Sequence, residues 1–481
     1  MVRSESKQLR GLALMRDDDM PLYRQICEHI RTAIRTGQLR PGDRVPSTRS
    51  LAERFDTARG TIDAAYAILM GEGYLIARGP AGTVVSAELD SRALAGAARR
   101  ARLLPPAPRP AAHAPRPFQM GLPALDAFPR KIWSRLVARH GRSLTPADMA
   151  YPDPAGYGPL REAIAVYLAT SRGVRCTAGQ ILITNGYQDA LNLVAGVLLQ
   201  RGDRVWLEDP NYPPTGEALK AARATLVPIR VDAEGLRVSD GLARARRAKL
   251  AVVTPSHQSP LGVALSLPRR LELLSWASAG GAWVIEDDYD SEFRYVGRPL
   301  PALKSLDRDD RVLYVGTFSK VLFPSLRLGY LVAPESQVAR FARFNRLCHL
   351  GHATLEQRVV ADFMSAGYFA RHLKRMRTLY ASRRRALAES VLAVFGDRIT
   401  VDLSPGGMHL IARVGDGVSD VDLAQLAQSG GFSVEALSRR AATHRCGQGL
   451  LLGFTNIAES DALASCQRLH HLLRKPLDDR A

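Results

Sequence analysis

One stretch breaks the texture of this chain and limits what it can become. Between Arg92 and Pro117 it reads RALAGAARRARLLPPAPRPAAHAPRP, a mixture of Ala, Arg and Pro with no sustained apolar period. Proline fixes φ and removes a backbone donor, so the prolines from Pro105 onward forbid regular helix or sheet and favour extended, semi-stiff backbone. Such a segment divides a chain rather than filling a core. At 481 residues the chain already exceeds what one hydrophobic core organises. The expected division is a head over 18–87, a linker over 88–117 and a body over 118–476, with no tandem repeat on either side. The linker's arginines read as a solvated charge run that can also touch an anionic backbone.

Composition is ordinary except in its charge. Hydrophobic residues make up 46% and charged residues 23%, yet the net charge is +19. A surplus of that size favours an anionic partner, most often nucleic acid. An arginine-rich composition bias accounts for it equally well, and composition leaves both readings open. The five cysteines (Cys27, Cys176, Cys348, Cys446 and Cys466) are scattered without a CxxC pair. An odd number without metal spacing points to free thiols in a reducing cytosol. The N-terminus has no signal pattern, and the longest apolar run, ALNLVAGVLLQ, is too short to span a bilayer. A cytoplasmic protein is expected.

In the head, PLYRQICEHIRTAIRTGQL places Leu22, Ile26, Ile30 and Ile34 at helical spacing, with Leu39 beyond. RPGD stops that helix. In PSTRSLAERF, Ser47 can cap a short helix that turns Leu51, Ala52 and Phe55 inward. DTARGTIDAAYAILMGEGYL makes a third helix with Ile62, Tyr66 and Leu69 on one face, leaving Arg59, Gly60, Thr61 and Asp63 at its exposed start. GYLIARGPAGTVVSAE then alternates around a Gly-Pro-Ala-Gly turn, the pattern of a β-hairpin. This is the element order of a winged helix-turn-helix. The start of the third helix would enter a major groove, where Arg59 and Thr61 reach base edges. Arg44, Ser47 and Arg49, with Arg78, Gly79, Gly82 and Thr83 of the wing, are placed for phosphates or the minor groove.

LYRQICEHIRTAIRTGQLRPGDRVPSTRSLAERF and GTIDAAYAILMGEGYLIARGPAGTVV closely resemble the GntR-type winged-helix domain over about residues 20–86. The shared pattern runs from G-x-L-x-x-G-x-x-[LV]-P-S-x-R-x-L-A to A-Y-x-x-L-x-x-E-G-Y-L. One departure stands out. The family usually starts its recognition helix with Ser-Arg-x-Thr, whereas this chain has ARGTI, Ala58 to Ile62, and so lacks a serine hydroxyl that would contact DNA.

The body changes pattern to long helices alternating with short apolar runs. QILITNG, RVWLEDP, LAVVTPS, AWVIEDD and RVLYVGT each read as a buried strand ending in polar or Gly residues. Strands alternating with helices imply an α/β fold with a mostly parallel central sheet. Functional residues should collect at its carboxyl edge. TNGYQDALNLVAG puts the backbone amides of Gly186, Tyr187 and Gln188 at a helix start, a natural phosphate site. EDPNYPP sets Tyr212 on a loop, free to stack on a flat ring. VIEDDYDSEF spaces Asp287 and Tyr289 onto one face, provided the strand continues that far. GTFSKVLFPSLRLGY adds Thr317, Ser319, Lys320 and Arg327. Together they describe a phosphorylated aromatic aldehyde, pyridoxal 5'-phosphate. A lysine amine forms the Schiff base, a carboxylate keeps the pyridine nitrogen protonated, and arginine, hydroxyls and a helix N-terminus neutralise the phosphate.

Residues from about 118 to 475 resemble a fold-type I PLP-dependent aminotransferase. That family's NPHNPTG is echoed by TPSHQSPLG (Thr254 to Gly262), and its S-K-x-x-x-P-x-x-R-x-G by SKVLFPSLRLG. With the GntR-type head, TPSHQ and EDDYDSEFRY resemble the MocR/GabR subfamily of transcription regulators over nearly the whole chain. The resemblance implies Lys320 as the Schiff-base lysine, Asp287 as the pyridine-nitrogen partner, Tyr289 as the O3′ partner, Arg327 on the phosphate and Tyr212 near the ring. It also places His257 and Gln258 near the cofactor. Two places depart. Ser259 and Leu261 replace the Asn and Thr of NPTG, and Leu451 in LLLGFTN stands where aminotransferases often carry the arginine for the substrate α-carboxylate. Arg439 or Arg440 could substitute.

Three functions are compatible with these residues. One is a DNA-binding regulator, a head-to-tail homodimer that senses an amine, an amino acid or pyridoxal phosphate itself through Lys320. Another is an active aminotransferase with an accessory DNA-binding head. The third is a DNA-binding protein whose cofactor is only structural. The first is the reading adopted, since a free-standing aminotransferase has no use for such a head.

Overall fold

The structure, a computed structural model, describes residues 14–15, 20–89, 114–297, 300–415 and 417–478. Most of the expected linker, residues 90–113, lies outside the described residues. The chain divides into two compact units, Met1–His113 and Ala114–Ala481.

In the first unit, helix α1 (Leu22–Arg35) buries Ile26, Ile30 and Ile34 completely, as their spacing requires. Helix α2 (Thr48–Phe55) starts at Ser47, whose hydroxyl oxygen accepts from the Ser50 amide at 3.2 Å. Helix α3 (Arg59–Gly71) buries Ile62, Tyr66 and Leu69. The Tyr66 hydroxyl donates to the Pro46 carbonyl at 2.8 Å and ties α3 to the entry of α2. Strands β1 (Leu75–Ala77) and β2 (Thr83–Val85) pair antiparallel, with Ile76 opposite Val84, around the short 3-10 turn Gly79–Ala81. One apolar cluster joins all three helices to the hairpin. This is the winged helix-turn-helix order that the sequence predicts.

The second unit is built on an eight-stranded sheet ordered β3-β10-β9-β8-β7-β4-β5-β6. The strands are β3 (Ile181–Thr184), β4 (Arg204–Asp209), β5 (Thr225–Asp232), β6 (Gly235–Leu236), β7 (Leu250–Val253), β8 (Trp283–Asp288), β9 (Val312–Thr317) and β10 (Gly329–Val332). The pairs β4–β5, β4–β7, β7–β8 and β8–β9 are parallel, while β10 runs antiparallel between β3 and β9. Separate apolar clusters form against its strands, one around Leu191, Val194 and Phe341 and another around Trp206, Leu273 and Trp276. That is why the strands read as unbroken apolar runs rather than alternating ones.

The direction of β10 matters. Gly329, its first residue, pairs with both Thr184 at the end of β3 and Thr317 at the end of β9. The ends of β3, β8 and β9 and the start of β10 therefore share one edge, and the Lys320-to-Arg327 loop spans it. A second, antiparallel sheet, not singled out by periodicity, has the order β11-β12-β14-β13. It consists of β11 (Thr400–Asp402), β12 (His409–Arg413), β13 (Glu435–Ala436) and β14 (Gly449–Gly453), and packs in one core with the helices Tyr368–Phe395 and Glu459–Asp478. No helix among the described residues is long and apolar enough to cross a membrane.

Candidate functional site

Three consecutive acids end β8, and strand geometry sorts them. Side chains alternate between faces, so Glu286 and Asp288 share one side and Asp287 takes the other. On the shared side Glu286 accepts from the Leu303 and Lys304 amides, both at 2.8 Å, and Asp288 accepts from Arg172 Nε at 2.7 Å. Arg172 is itself buried, and it also donates to the Leu300 carbonyl at 2.8 Å and to Ser256 Oγ at 2.7 Å. Asp287 instead faces a cavity of about 370 Å³.

That cavity gathers most of the residues the sequence nominated. Lys320, Asp287, Tyr289, Arg327, Tyr212, Tyr187, Gln188, Thr317 and Ser319 all line it. Lys320 Nζ donates to the Gly121 carbonyl at 2.9 Å. Gly121 is in the left-handed region at φ +63, where a side chain strains the backbone, and a Cβ there would stand 2.6 Å from Nζ and displace the lysine tip. The Ser319 amide donates to Thr317 Oγ1 at 3.1 Å and shapes the turn that aims the lysine. Removal from water pushes the Lys320 amine below its usual range, against the opposing pull of Asp290 and Asp287. A larger neutral fraction makes it a better nucleophile.

An anion cradle lies at one end. Gly186 (φ +86) caps the helix Tyr187–Leu198, and the Arg327 guanidinium lies 3.8–3.9 Å from where a Gly186 Cβ would stand. Arg327 also donates to the Asn185 carbonyl at 3.1 Å. A fixed positive charge thus sits beside a helix N-terminus, two features that both attract phosphate. Gln188 Nε2, buried within this end, has no hydrogen-bond partner among the described residues. At the other end burial, first, and then Asp288 and Asp290 push the Asp287 carboxyl well above the usual carboxylate range. A protonated ring nitrogen against Asp287 would relieve that cost. The donor set therefore fits a flat, phosphorylated heteroaromatic aldehyde.

Three expectations need adjustment. β8 ends at Asp288, so Tyr289 lies one residue past the strand and reaches the cavity by the bend that follows rather than by strand alternation. His257 is absent from the cavity wall: its Nδ1 lies 3.0 Å from the Tyr289 hydroxyl and 3.1 Å from Asp290, and its Nε2 lies 3.1 Å from Ser404 Oγ. It stands behind Tyr289. Gln258 is likewise buried behind, donating to the Pro210 carbonyl at 2.8 Å and to Glu208 at 3.3 Å.

The cavity also holds one of the two arginines the sequence left open, together with residues it did not nominate. Arg440 enters it from the turn after β13, ion-paired with Glu435 and 5.8 Å from the centre of the Tyr212 ring. Leu451 is fully buried in β14 against Ile411 and Leu437. Of the two arginines left open by the sequence, Arg440 lines the cavity and Arg439 does not. Gly121 and Met120 come from the segment just after the linker. No helix or strand periodicity in the sequence there points to them.

The head carries a second surface. Arg49 and Arg59 are exposed and, among the described residues, pair within their own helices, with Glu53 at 3.1 Å and Asp63 at 3.7 Å. Exposed i,i+4 pairs are weak, so both guanidinia can exchange partners. Thr61 lies half-buried in the first turn of α3. Arg44 bridges to Val84 and folds over the wing, where a Cβ at Gly82 (φ +85) would meet its Nε at 2.9 Å. Arg78 and Gly79 are exposed at the wing tip, with Thr83 half-buried on β2. The Ser47 oxygen caps α2 while its proton remains available to a phosphate. Ala58 occupies the N-cap of α3 without any side-chain cap, so the missing serine costs a helix cap as well as a contact.

Known proteins match both units. Residues 22–85 match the bacterial regulatory proteins of the gntR family, and residues 129–430 match aminotransferase class I and II. The probable rhizopine catabolism regulatory protein MocR of Rhizobium meliloti is 39% identical over 93% of this chain and 92% of its own. The pyridoxine biosynthesis transcriptional regulator PdxR of Corynebacterium glutamicum is 32% identical over 92% and 94%. Among solved structures, LysN of Thermus thermophilus, an alpha-aminoadipate aminotransferase complexed with N-(5'-phosphopyridoxyl)-L-leucine, superposes with a TM-score of 0.68 at 27% identity, over 75% of this chain and 92% of that one.

Proposed function

Because this chain belongs to the MocR-type transcription regulators, in which a DNA-binding gntR-family head is joined to an aminotransferase class I and II body, we propose that the body uses bound pyridoxal phosphate to sense an amine, an amino acid or the cofactor itself. One observation carries this reading. A single cavity collects an enclosed lysine amine, a buried acid and an arginine at a helix N-terminus, in a chain that also reads DNA.

Pyridoxal phosphate supplies an aldehyde that exchanges between amines. Lys320 is the resident amine. Asp287 would hold a proton on the ring nitrogen, and Tyr289, backed by His257, would donate to the ring oxygen. Arg327, Gln188, Thr317, Ser319 and the amides of Gly186 and Tyr187 would hold the phosphate. Arg440 would offer a guanidinium to an effector carboxylate once it leaves Glu435, and Tyr212 would cover the ring. The Gly121 carbonyl, which accepts from the Lys320 amine at 2.9 Å, would hold that side chain whenever an effector amine stood in its place. The protein acts in the cytoplasm as a head-to-tail homodimer, which presents paired heads to two half-sites. The effector shifts operator affinity only so far as it distinguishes two arrangements of that dimer.

The test is operator binding by cofactor-loaded protein, with and without a panel of amines and amino acids, while visible absorbance and keto-acid release are followed. A compound that changes both spectrum and affinity without releasing keto acid is the expected result. Spectral change with constant affinity across the panel would make the cofactor structural. Steady keto-acid release with constant affinity would make the protein an aminotransferase.

A further inference from the structure

We propose that Asp189, His349 and His352 form a binding site for a divalent first-row metal ion, with Zn²⁺ the best match. One carboxylate oxygen and one ring nitrogen from each histidine lie within 4.8 Å of one another. His349 Nε2 is 3.2 Å from Asp189 Oδ1, and His352 Nε2 is 3.6 Å from Asp189 Oδ2. Zinc bonds of about 2.0–2.1 Å in tetrahedral geometry set donors about 3.3 Å apart. Small side-chain rotations bring the three donors to that spacing.

The backbone builds this convergence. The helix Val338–His349 ends at His349; Leu350 then adopts φ +50 and Gly351 φ +104, which folds His352 back toward the first ring. The two imidazole centroids are 4.9 Å apart. Gly351 packs so tightly on Pro152 that a Cβ would stand 2.6 Å from that ring. Asp189 is held from the other side, where its Oδ2 accepts from the Asn185 amide at 2.8 Å. Both partners are thus positioned before any ion arrives.

An ion pair alone accounts for the cluster poorly. His352 is more than nine-tenths buried, and its Nε2 has no hydrogen-bond partner among the described residues. Two charged imidazoles this close, beside one carboxylate, would repel. A bare buried nitrogen facing a second imidazole and a carboxylate is a ligand set with an open position. Two imidazoles out of three donors disfavour Mg²⁺ and Ca²⁺, which take oxygen.

The experiment uses full-length protein stripped with a chelator and dialysed. Zinc is titrated calorimetrically, and the bound metal is counted by elemental analysis. The wild type should take up one tight equivalent per chain, and His349→Ala should bind it roughly tenfold or more weakly. His349 is partly exposed, so this variant is expected to fold, and circular dichroism checks it; Asp189→Asn gives the same loss from the other side. X-ray absorption should show only nitrogen and oxygen ligands, without the sulfur shell at about 2.3 Å that the neighbouring Cys348 would supply. No tight equivalent in the wild type, wild-type affinity in His349→Ala, or a sulfur shell overturns the proposal.

Discussion

Lys320 carries one positive group into a pocket that penalises charge, and the nearby acids only partly compensate. Borohydride reduction of the yellow, cofactor-loaded protein followed by peptide mapping is expected to place the label on Lys320; label on another residue would refute the assignment. Gly121→Ala tests the space that this amine needs. It introduces a Cβ 2.6 Å from Nζ at a left-handed backbone position, so trapping should fall sharply while overall fold by circular dichroism holds. Glu208 is another buried acid, pushed by burial up to about 7 despite hydrogen bonds from Thr254 and Gln258. An unfolded glutamate titrates near about 4.3. Between that value and about 7 the folded protein keeps a proton that the unfolded chain has released. Stability is therefore greatest below this window and falls as pH rises through it. In Glu208→Gln the fall in melting temperature of cofactor-free protein between pH 5 and pH 8 should be shallower. Glu286 and Glu292, also pushed up to about 7, keep the slope from vanishing.

At the scale of elements, α3, the helix proposed to read DNA, starts without a side-chain cap. Ala58→Ser should restore one and stabilise the head by about 0.5–1 kcal/mol, read as a rise in its denaturation midpoint. Arg59→Ala and Arg49→Ala remove exposed guanidinia that, among the described residues, make weak intrahelical pairs. Each should weaken specific operator binding by about 1–3 kcal/mol where it reaches a base. The absorbance of the bound cofactor should stay as in the wild type, because the head has its own apolar core. If both variants bind the operator as tightly as the wild type, α3 is not the reading helix.

For the whole molecule, the two units have separate cores and separate chemistry. Lys320→Ala should leave Arg44, Arg49 and Arg59 on the head untouched and so keep operator binding. It should lose the response to effector, because the amine that an effector displaces is gone. Operator affinity of wild type and variant, each with and without the active amine, decides this at one fixed salt concentration, since phosphate contacts weaken steeply with salt. A variant that still shifts like the wild type would mean that the effector acts without amine exchange.

Local order determined much of this protein. The apolar spacing of Ile26, Ile30 and Ile34, the Gly-Pro-Ala-Gly turn, the buried runs ending at Thr184, Asp288 and Thr317, and the seven-residue step from Lys320 to Arg327 were legible because each follows from helix or strand periodicity, or from a turn. Alternation along β8 likewise sends Asp287 to one side and its acidic neighbours to the other. Only the tertiary structure decided which distant loops meet. It put Arg440 rather than Arg439 on the cavity, set Gly121 beneath Lys320, and moved His257 behind Tyr289. It also brought His349 and His352 to Asp189. The physical reason is that periodicity fixes the face a side chain takes within its own element. Convergence between elements depends on sheet order and loop path, which leave no repeating trace in a single sequence.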